Sequence, residues 1–393
     1  MTRLRTAVIG IRGAGRGHAE NLARHPRAAL QAVADLDEEA ARQLAQQHHA
    51  KSYTDYRVLL EQEPLDAAII ATPHFLHAPM SLAALEAGLH VLVEKPLAMR
   101  VSEADRMVDL ARRQHRVLAV GHNYRTFPGN VKLKQLIDSN QLGPLYRVLW
   151  QWLDNRPEAY YKRDIWRCTW KHAGGGVLMN QTSHDLDLIC WLLGDPIEVS
   201  AMVGNHAHQH EVEDTAIASI RFASGAYASV QLSTFGPCLN YRQLCGERGI
   251  ILFQDERDAN VHTPQVFRLG LYKEPLRQTI ETNPQATGRP EITWQEVDCS
   301  DASSPSLLDS FVDACLDGGQ PISDGESTRR TLELINAIIL SGVRKKVVSF
   351  PVDREEYDAL LDALISGKIS LRPPGPAAPP ASGPGSARPG RRP

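Results

Sequence analysis

Between residues 3 and 123, short apolar runs alternate with segments of helical periodicity, and this alternation limits what the chain can fold into more than any other feature. The runs are RTAVIG, LQAVADL, AAIIAT, HVLVEKP and VLAVGHN. They are apolar on both faces, as expected of strands in a parallel sheet covered on both sides. EEAARQLAQQHH, APMSLAALEAG and SEADRMVDLARRQH lie between them with apolar residues at helical spacing, and Gly88 offers a C-terminal stop. A doubly wound α/β domain over residues 1–123 is predicted.

Beyond residue 124 the texture changes. YRVLWQWL, TAIASIRF, GAYASVQLSTF and GIILF alternate apolar and polar residues, with turn signals such as ASGA between them. They predict an α+β domain over 124–351 with a large open, mainly antiparallel sheet. The helical pair PSLLDSFVDACLDG and ESTRRTLELINAIILSGVRKK, within 304–346, is expected to pack back toward the first domain. REEYDALLDALIS predicts a short helix within 352–371, and the Pro/Gly/Ala-rich stretch 372–393 is expected to be disordered, since it cannot bury a core.

The formal charge of −3 over 393 residues is spread along the chain. No basic face is concentrated enough to make nucleic acid the partner. No apolar run reaches the ~20 residues that cross a bilayer. MTRLRTAVIG enters the first strand directly, leaving no room for a signal peptide, so a cytoplasmic protein is expected. Six cysteines without C-x-x-C pairs read as reduced, packed thiols.

GIRGAGRGH, residues 10–18, reads as an altered dinucleotide loop. In a G-x-G-x-x-G frame opened by Gly10 and closed by Gly15, Arg12 stands where the second glycine belongs. The loop follows a predicted strand and opens a predicted helix. Asp35 ends the next strand about 20 residues on, where an acid binds the adenosine ribose hydroxyls. This context predicts NAD(P) binding by Gly10, Arg12, Gly13, Ala14, Gly15 and Asp35. Arg12 crowds the approach to the pyrophosphate unless the turn shifts, and Gly13 supplies that freedom one place later. Its guanidinium then stands beside the pyrophosphate, or else in solvent. Asp35 repels a 2′-phosphate, and neither Leu36 nor Asp37 brings a cation, so NAD is favoured over NADP.

ATPHFLH (71–77), EKP (94–96), GHNYR (121–125) and GGGVLMNQTSHDLD (174–187) follow in order. With the loop they resemble the Gfo/Idh/MocA family of glucose-fructose oxidoreductase-like and inositol-dehydrogenase-like proteins, from residue 4 to about 351. The resemblance implies an N-terminal Rossmann domain and a C-terminal open sheet that carries substrate and an interface for a homodimer or homotetramer. It also implies that Lys95, in a Lys-Pro bond often found cis, stands with Glu94 near nicotinamide and the reacting carbon. His184 matches the acid/base histidine. Thr72, Pro73 and His77 match a second cofactor-lining stretch, and Asn123 lies beside the nicotinamide end. Many members carry Asp four residues before the histidine, whereas this chain has Asn180, and Thr182 replaces a frequent glycine. An amide cannot act as a base, so the proton relay falls on Lys95 and His184.

The residues themselves support the same site. On a helix starting near Gly176, Leu186, Ile189, Cys190 and Leu193 form a packing stripe, while Asn180, His184 and Asp187 form a polar stripe that can face a cleft. Lys95 stands at the C-terminal end of a parallel strand, where open α/β sheets bind ligands. PEAYYKRDIWRCTWKH is dense in aromatic and basic residues, and Trp166, Arg167 and Trp170 are candidate walls for a polyol or sugar, with cover for a sheet edge as the competing role. Arg125, Asn180 and Asp187 are further candidate substrate contacts. HAHQH (206–210) places histidines on one strand face but lacks a second ligand group, so no metal is expected.

The expected activity is NAD-dependent oxidation of a sugar, sugar derivative or cyclitol. His184 takes the hydroxyl proton and Lys95 polarises the oxygen. Two alternatives stay open: a glycoside-cleaving or epimerising enzyme that oxidises its sugar transiently, and a non-catalytic NAD-binding regulator, against which the presence of Lys95 and His184 argues.

Overall fold

The computed structural model describes residues 3–255, 265–282 and 290–371. The expected disordered tail, 372–393, lies outside the described residues. Six parallel strands, β1 (Leu4–Ile9), β2 (Ala28–Ala34), β3 (Lys51–Tyr53), β4 (Ala67–Ile70), β5 (His90–Val93) and β6 (Leu118–Val120), form one sheet in the order β3-β2-β1-β4-β5-β6. The strand order reverses between β1 and β4, which opens a crevice at their C-terminal ends.

The apolar runs divide between two cores. Ala7, Ile9, Ala34, Ile70, Val91 and Val93 face helices His77–Glu86 and Val101–Arg113. Val8, Val33, Ile69 and Leu92 face helices Ala14–Arg24 and Glu38–Gln47. Burial on both faces is why these strands read as continuous hydrophobic runs. β3 is only three residues long and gave no such signal.

The second core of the first domain is completed from far along the chain. Helix Leu307–Asp317 inserts Leu307, Leu308, Phe311 and Val312 into it. Arg27 holds the helix through Asp313 at 2.5 Å and Asp317 at 2.6 Å.

Nine strands form the second sheet, in the order β14-β13-β12-β11-β7-β10-β9-β8-β15. They are β7 (Leu145–Asn155), β8 (Pro196–Gly204), β9 (Thr215–Phe222), β10 (Tyr227–Ser233), β11 (Phe235–Gly246), β12 (Gly249–Asp255), β13 (Val266–Tyr272), β14 (Ile292–Asp298) and β15 (Val348–Ser349). All pairs are antiparallel except β7 with β10. The run GAYASVQLSTF is broken near Thr234, because the Ser233 hydroxyl accepts the Phe235 N–H at 3.0 Å and turns the chain.

The inner face of this sheet is covered by helices Ser183–Leu193 and Gly325–Arg344. Asn336 of the longer helix accepts the Val101 N–H at 2.9 Å and donates to the Met99 carbonyl at 3.2 Å, joining that helix to the first domain. Helix Arg354–Ile365 closes the described chain. Among the described residues no helix is long and apolar enough to cross a membrane.

Candidate active site

A cleft of about 1400 Å³ runs along the C-terminal ends of β1, β2, β4 and β5. Its floor is the glycine loop. Gly10 has φ +84°, and a Cβ there would lie 2.7 Å from the Ala71 carbonyl oxygen. Gly13, not Arg12, carries the second positive φ, at +58°, with open space where its Cβ would stand. It begins helix Ala14–Arg24, and no side chain caps that end. Uncapped N–H groups facing a cleft, with no side chain on the approach, fit the diphosphate of a dinucleotide.

Arg12 is among the residues that line the cleft. Its guanidinium pairs with Asp37 at 2.7 Å and is 76% exposed. The nearest carboxylate captures it, because Asp37 is already turned toward the loop while capping the next helix through the Ala40 N–H. Asp35 is tied down by the N–H groups of Ile11 at 2.9 Å and Asp37 at 3.0 Å, so its carboxylate is fixed at the β2 end of the cleft beside Tyr56 and Arg57.

Thr72, Pro73, His74, Glu94, Lys95, Trp166, Arg167 and Asn180 line the opposite end. The Thr72 hydroxyl and Asn180 Nδ2 are buried without a hydrogen-bond partner among the described residues. Buried polar atoms of this kind call for a ligand or water to complete them. Glu94 is held by His18 at 2.8 Å, and that contact with the nearby Lys95 charge outweighs burial and keeps its carboxyl below the usual range. A Cβ at Gly121 would come within 2.7 Å of the Glu94 carboxylate, so the glycine of GHN makes room for it.

Lys95 follows β5 and precedes a cis Lys95–Pro96 bond. Its Nζ donates to the Asn180 carbonyl at 2.5 Å. Burial lowers its pKa to about 8; Glu94 opposes the shift and Arg167 adds to it. An ammonium with three donors retains two for a ligand once one is given to Asn180.

The run GGGVLMNQTSHDLD does not form one helix from Gly176. Val177–Gln181 is a π-helical turn, and the α-helix starts at Ser183. Glu213 sets the turn by accepting the N–H groups of Gly176 at 2.8 Å and Leu178 at 3.1 Å, while a Cβ at Gly176 would stand 1.9 Å from the Glu213 carbonyl oxygen. The wide turn separates the expected polar stripe. Asn180 enters the cleft. His184, which is not among the residues lining the cleft, stacks on Tyr124 with ring centroids 4.1 Å apart and meets His122 edge-on at 5.3 Å.

Asp187 turns away altogether, into a buried pair with Arg125 at 2.7 and 2.8 Å that also takes the Thr331 hydroxyl. Arg125 further donates to the Ile322 carbonyl and to Ser327. This pair ties helix Ser183–Leu193 to the segment after β6 and to the long helix, so neither residue is placed to touch substrate.

Three other expected site residues stand outside the cleft lining. His77 does not line the cleft, since its ring nitrogens face the carbonyls of Pro96 at 2.6 Å and Thr72 at 2.8 Å and pin two cleft loops together. Trp170 is buried, with Nε1 donating to the Glu211 carbonyl at 3.1 Å. Asn123 is exposed and starts a 3₁₀ turn outside the cleft lining. Trp166 and Arg167 do line the cleft, with Trp166 edge-on to His74 at 4.7 Å. In HAHQH, His208 is bound to Asp214 at 3.0 Å and the Arg156 carbonyl at 2.7 Å and stacks on His210.

His18 and Glu213 escaped the sequence reading. The signal for His18 was present, one helical turn after Gly15 on the face that meets Glu94. Glu213 gave none, because its partners lie 35 and 37 residues away.

The fold and cleft define a two-domain, NAD-binding oxidoreductase. Residues 4–122 match the family model for an oxidoreductase family with an NAD-binding Rossmann fold, and residues 130–252 match the Gfo/Idh/MocA C-terminal domain. The chain belongs to the Gfo/Idh/MocA family. It is 28% identical over 267 residues to myo-inositol 2-dehydrogenase of Thermotoga maritima, covering 66% of this chain and 77% of that protein. It is 26% identical over 339 residues to the uncharacterized oxidoreductase YrbE of Bacillus subtilis, covering 81% of this chain and 96% of that one. The WlbA dehydrogenase of Chromobacterium violaceum, solved in complex with NADH and UDP-GlcNAcA, superposes with a TM-score of 0.77 at 28% identity, covering 90% of this chain and 97% of that one.

Proposed function

We propose that the cleft binds NAD from Asp35 to Lys95 and that the enzyme oxidises a secondary alcohol of a sugar, sugar derivative or cyclitol, or reduces the corresponding ketone. The observation that carries this reading is Lys95, a buried ammonium anchored by one bond to the Asn180 carbonyl at the head of a dinucleotide cleft. When bound, the nicotinamide supplies hydride acceptance or donation. Asp35 receives the ribose hydroxyls and its charge rejects a 2′-phosphate, which favours NAD over NADP. The uncapped helix N-terminus at Gly13 receives the diphosphate. Lys95 donates to the substrate oxygen and polarises it, Asn180 Nδ2 fixes a neighbouring hydroxyl, and His184 moves the alcohol proton.

Relatives that act on a cyclitol or bind a nucleotide-linked sugar support the substrate class. We further propose a reducing, cytoplasmic setting, consistent with six cysteines that all stand as free thiols. Assembly into a homodimer or homotetramer through the outer sheet face is supported by Met202, Ile217 and Tyr227, which are exposed there.

A panel of polyols, aldoses, uronic acids and glycosides, read by NADH absorbance, tests the activity, with NAD and NADP binding compared by calorimetry. At least one polyol or sugar should yield NADH, and NAD should bind more tightly than NADP. A glycoside that releases its aglycone without net NADH would move the enzyme to redox-neutral chemistry. A flat response to every compound would sink the proposal.

A further inference from the structure

Arg163, Asp164, Trp166 and Arg167 reach the cleft from one segment, helix Glu158–Arg163 and the 3₁₀ turn Ile165–Cys168. That segment leaves the end of β7 through Arg156 and is tied to the loop 205–214, which carries HAHQH. Gln209 donates its N–H to Glu158 at 2.7 Å, and Glu211 donates its own to the Cys168 carbonyl at 3.1 Å. The tie made by His208 is different in kind. Its side chain is 6% exposed, and its two ring nitrogens face Asp214 Oδ2 at 3.0 Å and the Arg156 carbonyl at 2.7 Å. Both partners are acceptors, so the ring satisfies both only with a proton on each nitrogen.

The groups around the ring suit an imidazolium. The Asp214 carboxylate is buried and further held by the N–H groups of His206 and Ala207, both at 2.9 Å, and by the Thr215 hydroxyl at 3.0 Å. Against burial, the His208 bond and these donors keep its carboxyl well below the usual range. Glu158 adds a second acid on the wall side. His210 stacks on His208 with centroids 5.0 Å apart but does not share the charge, because burial and then the His208 charge lower it to about 4. Tyr161 meets His208 at 5.0 Å as a phenol bonded to Thr234, and the Arg156 guanidinium is turned to Asp154 at 2.5 Å.

We infer that His208 is a positioning residue of the cofactor site, whose protonated ring latches the Arg156 end of the cleft wall and releases it when the proton leaves. This rests on the reading of the cleft as a dinucleotide site. Once one proton is lost, Asp214 keeps the remaining N–H, since a charged acceptor makes the stronger bond and the loop donors hold it in place. Nε2 then turns a lone pair on the Arg156 carbonyl, and the tie to the wall becomes a repulsion. Against burial, Asp214, the Arg156 carbonyl and Glu158 raise the His208 pKa above its ordinary 6.5. The latch is therefore complete below that value and is lost as pH rises through the folded one.

Two variants separate the latch from its titration. In His208→Asn the short amide reaches Asp214 alone, whereas in His208→Gln the longer one donates to the Arg156 carbonyl at every pH. Comparisons are made between proteins at one pH, so that titration of Lys95 cancels. At about pH 6 the parent and His208→Gln should bind NADH alike, and His208→Asn about fivefold or more weakly, by fluorescence titration. At about pH 9 the parent should fall to the level of His208→Asn while His208→Gln stays tight. Backbone amide exchange over residues 158–168 should follow the same order, faster in His208→Asn than in the parent at the lower pH and equal at the higher. Equal exchange in those two proteins at the lower pH overturns the latch. Equal NADH affinity there overturns its service to the cofactor, and a contrast of the same size at both pH values overturns the role of the proton. If His208→Asn does not fold, a ratio of parent to His208→Gln affinity that is constant with pH overturns the inference. A parent that binds no NADH at either pH removes the cofactor reading instead, and exchange alone then judges the latch.

Discussion

Lys95 illustrates how one residue acquires a function from its surroundings. Its identity and its place after β5 were legible in EKP, but its altered basicity comes from burial, opposed by Glu94 and reinforced by Arg167. If the ammonium polarises a ketone oxygen, kcat/KM for reduction should fall as pH rises through about 8, where the proton leaves. Lys95→Met and His184→Ala should each lose about 10² to 10⁴ in rate, and the double variant should be little worse than the poorer single one. NADH fluorescence checks that cofactor binding survives in each. A profile flat through that range, or near-normal turnover in His184→Ala, would assign the proton to another group. Arg12 makes the opposite point, since its residue type suited a pyrophosphate while its conformation was decided by Asp37, 25 residues away.

Among the elements, the glycine-rich run and its π-helical turn depend on a single distant side chain. Burial raises the Glu213 carboxyl to about 7, against the pull of the Gly176 and Leu178 N–H groups it accepts. A carboxyl raised above its unfolded value of roughly 4.3 binds a proton in the fold that the unfolded chain has already lost. Its stabilising share is therefore complete below that unfolded value and disappears as pH rises through the folded one. Glu213→Gln keeps a carbonyl acceptor for both N–H groups and removes the titration. The variant should gain on the order of 2 kcal/mol more, relative to the parent, at about pH 8 than at about pH 5, measured by chemical denaturation at each pH. Parallel pH profiles for the two proteins would mean that the carboxylate is ionised in the fold throughout. The Ser183 helix itself was readable from Leu186, Ile189 and Cys190, all buried. Its start was not, because a wide turn has no sequence period of its own.

At the scale of the whole molecule, the two sheets differ in what covers them. The first is buried on both faces, whereas among the described residues the second has helices on its inner face alone. On the outer face of the second, Met202 is opposite Ile217 in the β8–β9 register, and they are 77% and 47% exposed. Exposed apolar side chains on an open sheet make a surface suited to a second copy. Ile217→Glu should shift sedimentation of the assembled protein toward monomer while leaving NADH binding in place. A parent that sediments as a monomer, or a variant that stays assembled, would refute assembly through this face.

The sequence by itself determined the parallel domain, the glycine loop with Asp35, and Lys95 at a strand end. Each is written in contiguous residues, because burial on both sides makes a strand continuously apolar and the loop needs only its own glycines. The tertiary structure alone decided that Arg125 and Asp187 close on each other with Thr331 and that Trp170 reaches Glu211. A buried charge or indole takes whichever partner packing delivers, and those partners come from segments that no local spacing connects.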